Sequence, residues 1–173
     1  MTKKIIVISG KQFSGKDTLA KFLLEFLPDY KRIGIGDAIK LEYGKKHNLS
    51  FEKIEKDKHL YRADLIELGN WGRNIDPDFW LKRIIEQNEN IIVPDIRVPH
   101  ELEIFKKHGA IAIRVEAPRD NRALRGTLAK ENDPTETLLD SVSDWDYIIA
   151  NDGSLEDLRQ KAFALSEKIL INK

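Results

Sequence analysis

A glycine-bracketed loop near the N-terminus is the first segment whose residue types and spacing could do chemistry. It fits the pattern G-x-x-x-x-G-K from Gly10 to Lys16, and Asp17 stands where Ser or Thr is usual. Glycines let the backbone curl so that its N–H groups face a phosphate, and a following helix N-terminus adds partial positive charge. The spacing therefore predicts a nucleoside triphosphate site over Gly10, Lys11, Gln12, Phe13, Ser14, Gly15, Lys16, Asp17 and Thr18.

Two aspartates are candidate ligands for the magnesium ion that accompanies a nucleoside triphosphate. Asp17 has an oxygen where the pattern usually has a hydroxyl, so it could hold Mg²⁺ directly or through a water, or Thr18 could supply the hydroxyl instead. Asp95 follows the apolar run 91–94, where proteins with such loops often place a further carboxylate for the metal. An ordinary cap of the following helix is the alternative for Asp95.

Basic residues at helical spacing suggest that a second phosphate is bound elsewhere. Lys58 and Arg62 are four residues apart and Arg73 follows eleven later, while Arg122 and Arg125 are three apart. A solvated helix face tolerates such like charges, because each pair costs only about 0.2–0.5 kcal/mol. The alternative is an anion clamp, for which the two-pronged guanidinium is suited. Arg97 lies just past Asp95, and either a salt bridge or an anion contact fits it.

The elements that position these residues alternate between strands and helices. Buried-type strands are predicted at 5–8, 91–93, 110–115 and 147–150, with a shorter one at 30–35. This order predicts a three-layer α/β fold, with a mostly parallel sheet flanked by helices and ligands beyond the carboxyl ends of the strands. We expect a single domain over 1–173, with insertions at about 36–88, which is helical, and at about 119–136 above that edge of the sheet.

Inside the insertion the pattern predicts helices at 36–47 and 50–73, then one that starts at Asp76-Pro77. Further helices are predicted at 99–107, 118–125 and 154–170. Trp71, Trp80 and Trp145 are interpreted as core residues rather than as a base-stacking platform.

Composition excludes several classes of protein. The 173 residues contain 29 Lys plus Arg and 29 Asp plus Glu, so the formal net charge is zero, which argues against a general nucleic-acid binder. The absence of Cys excludes a disulfide framework and a thiolate site, and the four His show no metal spacing. No apolar run approaches the roughly 18 residues of a membrane span. We therefore expect a cytoplasmic protein with no membrane partner, as a monomer or a homodimer.

Several segments together resemble the deoxynucleoside monophosphate kinase family and the similar animal-type phosphomevalonate kinases, over nearly the whole chain. The loop form Ser14-Gly15-Lys16-Asp17 matches theirs and accounts for the Asp. The other matching segments are Asp37–Lys40, Lys58 and Arg62, Gly69 and Arg73, Asp76-Pro77, Trp80, Asp95–Glu101, Arg122–Gly126, Thr135-Glu136, Leu139-Asp140, Asp146-Tyr147 and Asn151–Ser154.

This resemblance implies a P-loop fold of the nucleoside monophosphate kinase type, an ATP donor with Mg²⁺, and roles for individual residues. The helical insertion at about 36–88 would bind the acceptor, and the segment at about 119–136 would form a lid. Lys16 and the loop backbone would hold ATP. Lys16 and Asp17, together with Arg122 and Arg125 of the lid, would be catalytic, and Asn151 and Gly153 would lie near adenine. The residues implied to bind a small phosphorylated acceptor are Lys40, Lys58, Arg62, Arg73, Arg97 and Glu136.

Three functions compete. A deoxynucleoside monophosphate is favoured as acceptor by Gln12, Phe13 and the single arginine in Arg97-Val98, because the animal phosphomevalonate kinases have a more basic loop and two adjacent arginines. Pro134 departs from the nucleotide branch, which tends to have His there, so phosphomevalonate is the second candidate. An NTP-driven switch without an acceptor is the third, but a switch would not need the cations outside the loop.

Overall fold

The computed structural model describes residues 3–129 and 131–171. In chain order the elements are β1 (Ile5–Ser9), α1 (Lys16–Phe26), β2 (Tyr30–Arg32), α2 (Ile35–His47), α3 (Phe51–Lys56), α4 (Lys58–Ile75), α5 (Phe79–Ile85), β3 (Asn90–Val93), α6 (Pro99–Lys107), β4 (Ile111–Glu116), α7 (Arg119–Arg125), α8 (Pro134–Thr137), β5 (Tyr147–Ala150) and α9 (Leu155–Ile171).

The five strands form one sheet in the order β2-β3-β1-β4-β5, and every neighbouring pair is parallel. In the central pairs Val7 lies opposite Val93, and Ile8 lies opposite Ile113. Because the strands are parallel, their carboxyl ends lie at one edge of the sheet, where the loops that follow β1, β3, β4 and β5 meet. The predicted α/β sheet flanked by helices is confirmed.

The sheet core explains why the apolar runs become strands. All five residues of β1 are buried, as expected for a strand covered by helices on both faces. On one face Ile6 and Ile8 pack in a cluster with Leu23 of α1 and Leu158 of α9. Truncating such a side chain, as in Leu23→Ala, typically costs about 2–5 kcal/mol. This packing fixes where β1 ends and α1 begins, and so it fixes the loop between them.

The chain divides into two compact units. The first comprises Met1–Arg32 and Glu89–Lys173 and contains the sheet, and the second comprises Ile33–Asn88. Within the second unit α4 packs closely on α5. There is no room for a side chain at Gly72, because a Cβ there would lie 2.7 Å from Nε1 of Trp80. That same Trp80 nitrogen donates to the carbonyl oxygen of Gly69 at 3.0 Å. The predicted insertion, 36–88, falls within this unit, and its acceptor role stays a prediction.

Several sequence-based boundaries are wrong. Strand β2 ends at Arg32 rather than at 35, and the helical segment predicted at 50–73 is two helices that meet at Asp57. Helix α5 begins at Phe79 rather than at Asp76, because the Asp76 side chain accepts from the N–H of Asp78 in a tight turn. Among the described residues, no helix is both long and apolar enough to cross a bilayer.

The three tryptophans do not share one environment. Trp80 is buried, as expected of a core residue, and Trp145 is half-buried. Trp71 is 51% exposed, so its interpretation as a core residue is wrong. Its ring contacts Phe79 edge-on at 5.4 Å, which covers only part of it.

Candidate active site

The glycine-bracketed loop lies between the end of β1 and the start of α1, as the sequence predicts. Gly15 has a φ of 100°, and a Cβ there would lie 2.2 Å from the Asn151 side-chain nitrogen. A Cβ at Gly10 would lie 2.3 Å from Oγ of Ser14. Phe13 also has a positive φ, 57°, which is uncommon for a residue other than glycine. Close packing therefore requires glycine at both ends of the loop, and at Gly15 the backbone conformation requires it too.

Three side chains hold the carbonyl oxygens of this loop. Asn151 Nδ2 donates to the carbonyl oxygen of Ser14 at 2.8 Å, and Arg125 Nη1 donates to that of Phe13 at 3.2 Å. Arg122 Nη1 donates to the carbonyl oxygen of Gln12 at 3.3 Å. These bonds fix the loop backbone, which a preorganised anion site requires because loop order must exist before the ligand arrives.

Lys16 is the first residue of α1, and its side chain is 13% exposed. Its Nζ lies 3.4 Å from Asp17 Oδ2, and Arg32 Nη2 lies 3.7 Å from Asp17 Oδ1. One lysine and one arginine thus face a carboxylate at the N-terminus of α1. Sequence reasoning missed Arg32, whose only signal was its place at the carboxyl end of a short strand.

The two predicted magnesium residues follow neighbouring strands of the sheet, since Asp17 lies in the first turn of α1, after β1, and Asp95 lies in the loop after β3. Asp95 follows β3, and because Ile96 N–H donates to Ile8 O at 3.4 Å it lies beside the end of β1, where the loop begins. Asp17 and Asp95 are carboxylates, which Mg²⁺ accepts one or two at a time alongside phosphate and water. Among the described residues, no group of three or more acidic or histidine side chains could hold a metal alone. The donors fit a magnesium ion that is bound mainly through the nucleotide.

Arg97 and Glu136, both predicted to bind the acceptor, contact each other. Arg97 Nη1 lies 3.3 Å from Glu136 Oε1, and Glu136 Oε2 accepts from the N–H of Gln12 at 2.8 Å. The Glu136 side chain is almost fully buried. Glu101 holds the turn before α6 by accepting from the N–H of Arg97 at 2.9 Å. The structure thus places Arg97 beside the loop through a shared carboxylate.

The segment predicted as the lid, 119–136, lies against the loop, and its residue 130 lies outside the described residues. Glu131 contacts Arg119 at 2.7 Å and Arg122 at 3.5 Å, and Gln12 accepts from the N–H of Ala129 at 3.1 Å. A Cβ at Gly126 would lie 2.3 Å from the Phe13 ring.

The other predicted acceptor residues lie in the second unit. Lys40 contacts Asp37 at 3.0 Å and Glu55 at 2.5 Å; burial opposes its charge, but these partners outweigh burial and raise the pKa of Lys40. Lys58 lies 4.0 Å from the same Glu55. The positive charge of Lys40 is therefore already balanced by two carboxylates.

Arg62 and Arg73 differ from those lysines. Eleven residues is close to three helical turns, so both lie on one face of α4. Arg62 makes no hydrogen bond or ion pair to any residue in 3–129 or 131–171, and Arg73 makes one contact of 3.4 Å with Asn70. A Cβ at Gly69 would lie 3.2 Å from Arg73 Nη1, so the Arg73 guanidinium lies over this glycine.

The residues expected near adenine are at the end of β5. Asn151 is buried and supports the loop, as described above, while its carbonyl oxygen accepts from Arg125 Nη2 at 2.9 Å. Gly153 precedes α9, and a Cβ there would lie 2.5 Å from Asp157 Oδ2. Asn151 therefore has a structural role that the sequence did not reveal, and the adenine contact stays a prediction.

Sequence reasoning also missed a buried polar network behind the loop. Arg114 of β4 is 6% exposed, and it contacts Ser9 and Asp140. The available signal was a charged residue inside the apolar run from Ile111 to Val115. A cavity of about 520 Å³ opens here, and Lys11, Arg114, Asp140 and Trp145 are among its lining residues.

Two protein families and two individual proteins match this chain. The phosphomevalonate kinase family matches residues 8–110, and the deoxynucleotide monophosphate kinase family matches residues 64–162. An uncharacterized protein of Ictalurid herpesvirus 1 (strain Auburn) is 28% identical over 166 residues, which are 90% of this chain. The match spans 64% of that viral protein. A UPF0200 protein of Sulfurisphaera tokodaii is 27% identical over 183 residues, covering 96% of this chain and 98% of that protein.

Solved structures identify the fold. Shikimate kinase from Aquifex aeolicus superposes with a TM-score of 0.53 at 17% identity, covering 98% of this chain and 99% of that one. At this identity the likeness establishes the three-layer P-loop fold alone. The two family matches each extend over more than half of the chain. This protein therefore belongs to the P-loop kinases of the phosphomevalonate kinase and deoxynucleotide monophosphate kinase families.

Proposed function

We propose that this protein transfers the γ-phosphoryl group of ATP to the phosphate of a small acceptor, with a deoxynucleoside monophosphate as the leading candidate. The observation that carries the proposal is the arginine face of α4. Arg62 and Arg73 share that face, and neither has a carboxylate partner among the residues in the two described ranges. Such guanidinium groups suit the two-pronged binding of a phosphate. An NTP-driven switch has no use for them.

The chemistry this site supports is positioning and charge neutralisation. A phosphate oxygen of the acceptor is already ionised at neutral pH, so no general base is needed. Lys16 would bind the β- and γ-phosphates from the start of α1. Magnesium, when bound near Asp17 and Asp95, would neutralise charge on the transferring group. Arg122 and Arg125 would add positive charge from the predicted lid, which would exclude water from the reaction.

Phosphomevalonate is the second candidate acceptor, and the family match over residues 8–110 favours it. That match includes the loop and the whole helical unit. The match to the deoxynucleotide kinases instead covers 64–162, which includes Arg73, Arg97 and the predicted lid. The two matches overlap across residues 64–110. Both families are kinases, so the matches support one reaction class, and experiment must decide between the acceptors.

The decisive experiment measures ADP formation from ATP and Mg²⁺ with each of four deoxynucleoside monophosphates and with phosphomevalonate. We expect one acceptor to raise ADP formation far above the acceptor-free rate, with an equal amount of phosphorylated product. Lys16→Ala is the matched inactive control. If ATP is hydrolysed at the same rate with every compound and no product forms, the switch function replaces the kinase function.

A further inference from the structure

We propose that Asp140 is a positioning residue for the ATP-binding loop. It acts through its contacts with Lys11 and Arg114, and we call these three residues the loop clamp. The inference rests on the proposed function only in taking ATP as the ligand. Asp140 has no role in the chemistry described so far, and it lies between α8 and β5, far from the loop in sequence.

The contacts of the loop clamp run from the aspartate to the end of β1. Asp140 Oδ2 lies 2.6 Å from Lys11 Nζ, and Asp140 Oδ1 lies 2.9 Å from Arg114 Nη2. The other terminal nitrogen of Arg114, Nη1, donates to Ser9 Oγ at 3.0 Å. One guanidinium thus connects the last residue of β1 to the aspartate, and the aspartate connects back to the second loop residue.

The clamp residues are themselves held in place. Arg114 belongs to a buried strand, and its guanidinium carbon lies 5.8 Å from the Trp145 ring centre. The neighbour of Asp140, Leu139, is buried in the first unit, and the Asp140 N–H donates to the Thr137 carbonyl oxygen at 2.9 Å. Because both ends are anchored, the clamp can hold Lys11 rather than follow it.

Holding Lys11 also holds the part of the loop that faces a phosphate. The N–H of Ser14 donates to the carbonyl oxygen of Lys11 at 3.0 Å, and Ser14 directly precedes Gly15 and Lys16. A loop ordered in advance loses less conformational freedom when its ligand binds, so the ligand binds more tightly. The side chain of Asp140 acts on ATP through this backbone turn.

A clamp and an ordinary ion pair make different predictions. The Lys11 and Asp140 side chains are 33% and 40% exposed, and ion pairs with that exposure contribute little to global stability. Loss of the Lys11–Asp140 contact alone, as in Lys11→Met, should therefore weaken ATP binding without a matching loss of thermal stability. Asp140→Asn also takes the charge partner from the buried Arg114, so that variant should lose stability as well. Loss of the clamp should also leave the KM of the acceptor nearly unchanged, because within residues 3–129 and 131–171 no hydrogen bond or ion pair joins Asp140 to a predicted acceptor residue.

The test measures the Kd of a non-hydrolysable ATP analogue with Mg²⁺ by calorimetry, for wild type, Asp140→Asn, Lys11→Met and the double variant. Asp144→Asn is the control, because Asp144 lies in the same segment and pairs with Lys106 at 2.8 Å. We expect Asp140→Asn to raise the Kd about tenfold. The double variant should bind no more weakly than the weaker single variant, since both remove the same contact. The control should bind as wild type does.

Three results would overturn the clamp. An unchanged Kd in Asp140→Asn would make the contact an ordinary ion pair. A lower Kd would mean that Asp140 holds Lys11 away from the triphosphate, and additive effects in the double variant would mean that the two residues act independently. If the wild type binds no ATP analogue, the proposed function fails, whereas binding that Asp140→Asn leaves unchanged contradicts the clamp alone.

Discussion

At the residue scale, the first turn of α1 brings two cations to one carboxylate. Asp17 lies between Lys16 and Arg32, and its side chain is 64% exposed. A bound triphosphate would draw Lys16 towards its oxygens, and a magnesium ion would replace part of the positive charge around Asp17. We therefore expect the contacts of Asp17 with Lys16 and Arg32 to be exchanged when ATP and the metal bind.

Replacing Lys16 by Ala should lower turnover by about 10²–10³-fold, because a preorganised charge on the transferring phosphoryl group is lost. Lys21→Ala, which changes an exposed lysine of the same helix, is the control and should turn over normally. Steady-state rates with circular dichroism of both variants check this. Near-normal turnover in a folded Lys16→Ala would remove the loop from the mechanism.

Replacing Asp17 by Asn should raise the Mg²⁺ concentration needed for half-maximal activity, because the amide is a weaker ligand for a hard cation than a carboxylate. Binding of ATP without metal should change little. A magnesium titration of activity checks the first point, and calorimetry with chelator checks the second. If the magnesium titrations of wild type and of Asp17→Asn superpose, Asp17 acts only on the helix dipole.

Residues within one continuous motif were predictable, and residues paired across the chain were not. The loop from Gly10 to Thr18 is local in sequence, and its spacing alone indicates its geometry. Arg114 and Asp140 are 26 residues apart, and only the fold shows that they meet. The same holds for Glu136, whose bond to the Gln12 N–H spans 124 residues.

At the element scale, α4 carries Arg62 and Arg73 on one face. Helical side chains tilt towards the N-terminus, so Arg73 extends back over Gly69 in the direction of Arg62. The glycine leaves room for this path, because a Cβ at position 69 would lie 3.2 Å from Arg73 Nη1. The same Cβ would lie 3.1 Å from Ile39 Cδ1. A glycine that weakens the helix thus gives Arg73 its direction.

Replacing either Arg62 or Arg73 by Ala should raise the acceptor KM about ten- to a hundredfold and leave the KM for ATP nearly unchanged. The loss of a charge-assisted hydrogen bond, roughly 1.5–3 kcal/mol, sets this range. Substitution by Lys should rescue only in part, because the two-pronged geometry is lost. Arg83→Ala, which removes an arginine stacked on Phe79 in the same unit, is the control. Changes within twofold for both substrates would make the arginine face a solvated surface.

The N-terminus of α6 should make stability depend on pH. Burial raises the pKa of Glu101 above its ordinary value of 4.5, although the N–H groups of Arg97 and Val98 oppose this. A raised pKa in the folded state contributes stability below the unfolded pKa and loses it as pH rises through the folded pKa. Glu101→Gln has no such titration. Its free energy of unfolding should therefore rise relative to wild type from about pH 4 to pH 7. Urea denaturation checks this, and a constant difference would contradict it.

Element types were predictable wherever the hydrophobic pattern was strong. The runs of Ile and Val gave the positions of β1, β3, β4 and β5 to within a residue or so. The division between α3 and α4 at Asp57 has no glycine or proline to announce it, so the pattern read as one helix. Side-chain hydrogen bonds of Asp76 delayed the start of α5, and such competition is invisible to periodicity.

At the scale of the whole molecule, the predicted functions divide between the two units. The predicted ATP-binding loop, the predicted lid and the predicted magnesium carboxylates belong to the first unit, which contains the sheet. Lys40, Lys58, Arg62 and Arg73 belong to the second unit, which is entirely helical in its regular structure. Donor and acceptor binding should therefore be separable by experiment.

Hydrogen exchange should show that separation directly. A non-hydrolysable ATP analogue with Mg²⁺ should slow amide exchange in residues 10–18 and 116–126, because ligand contacts suppress local opening. The acceptor identified by the turnover panel, added alone, should slow exchange within residues 33–88. Mass spectrometry of peptic peptides measures both, and protection of the helical unit by the ATP analogue but not by the acceptor would contradict the division.

The helical unit is one continuous segment of the chain, and this affects how such proteins can evolve. The chain leaves the sheet after Arg32 and returns at Glu89, so Ile33–Asn88 is one uninterrupted connection between two neighbouring strands. The closure entropy of such a connection varies only slowly with its length. A single recombination event could therefore exchange this helical unit, and with it every predicted acceptor cation except Arg97, without changing the loop that is predicted to hold ATP.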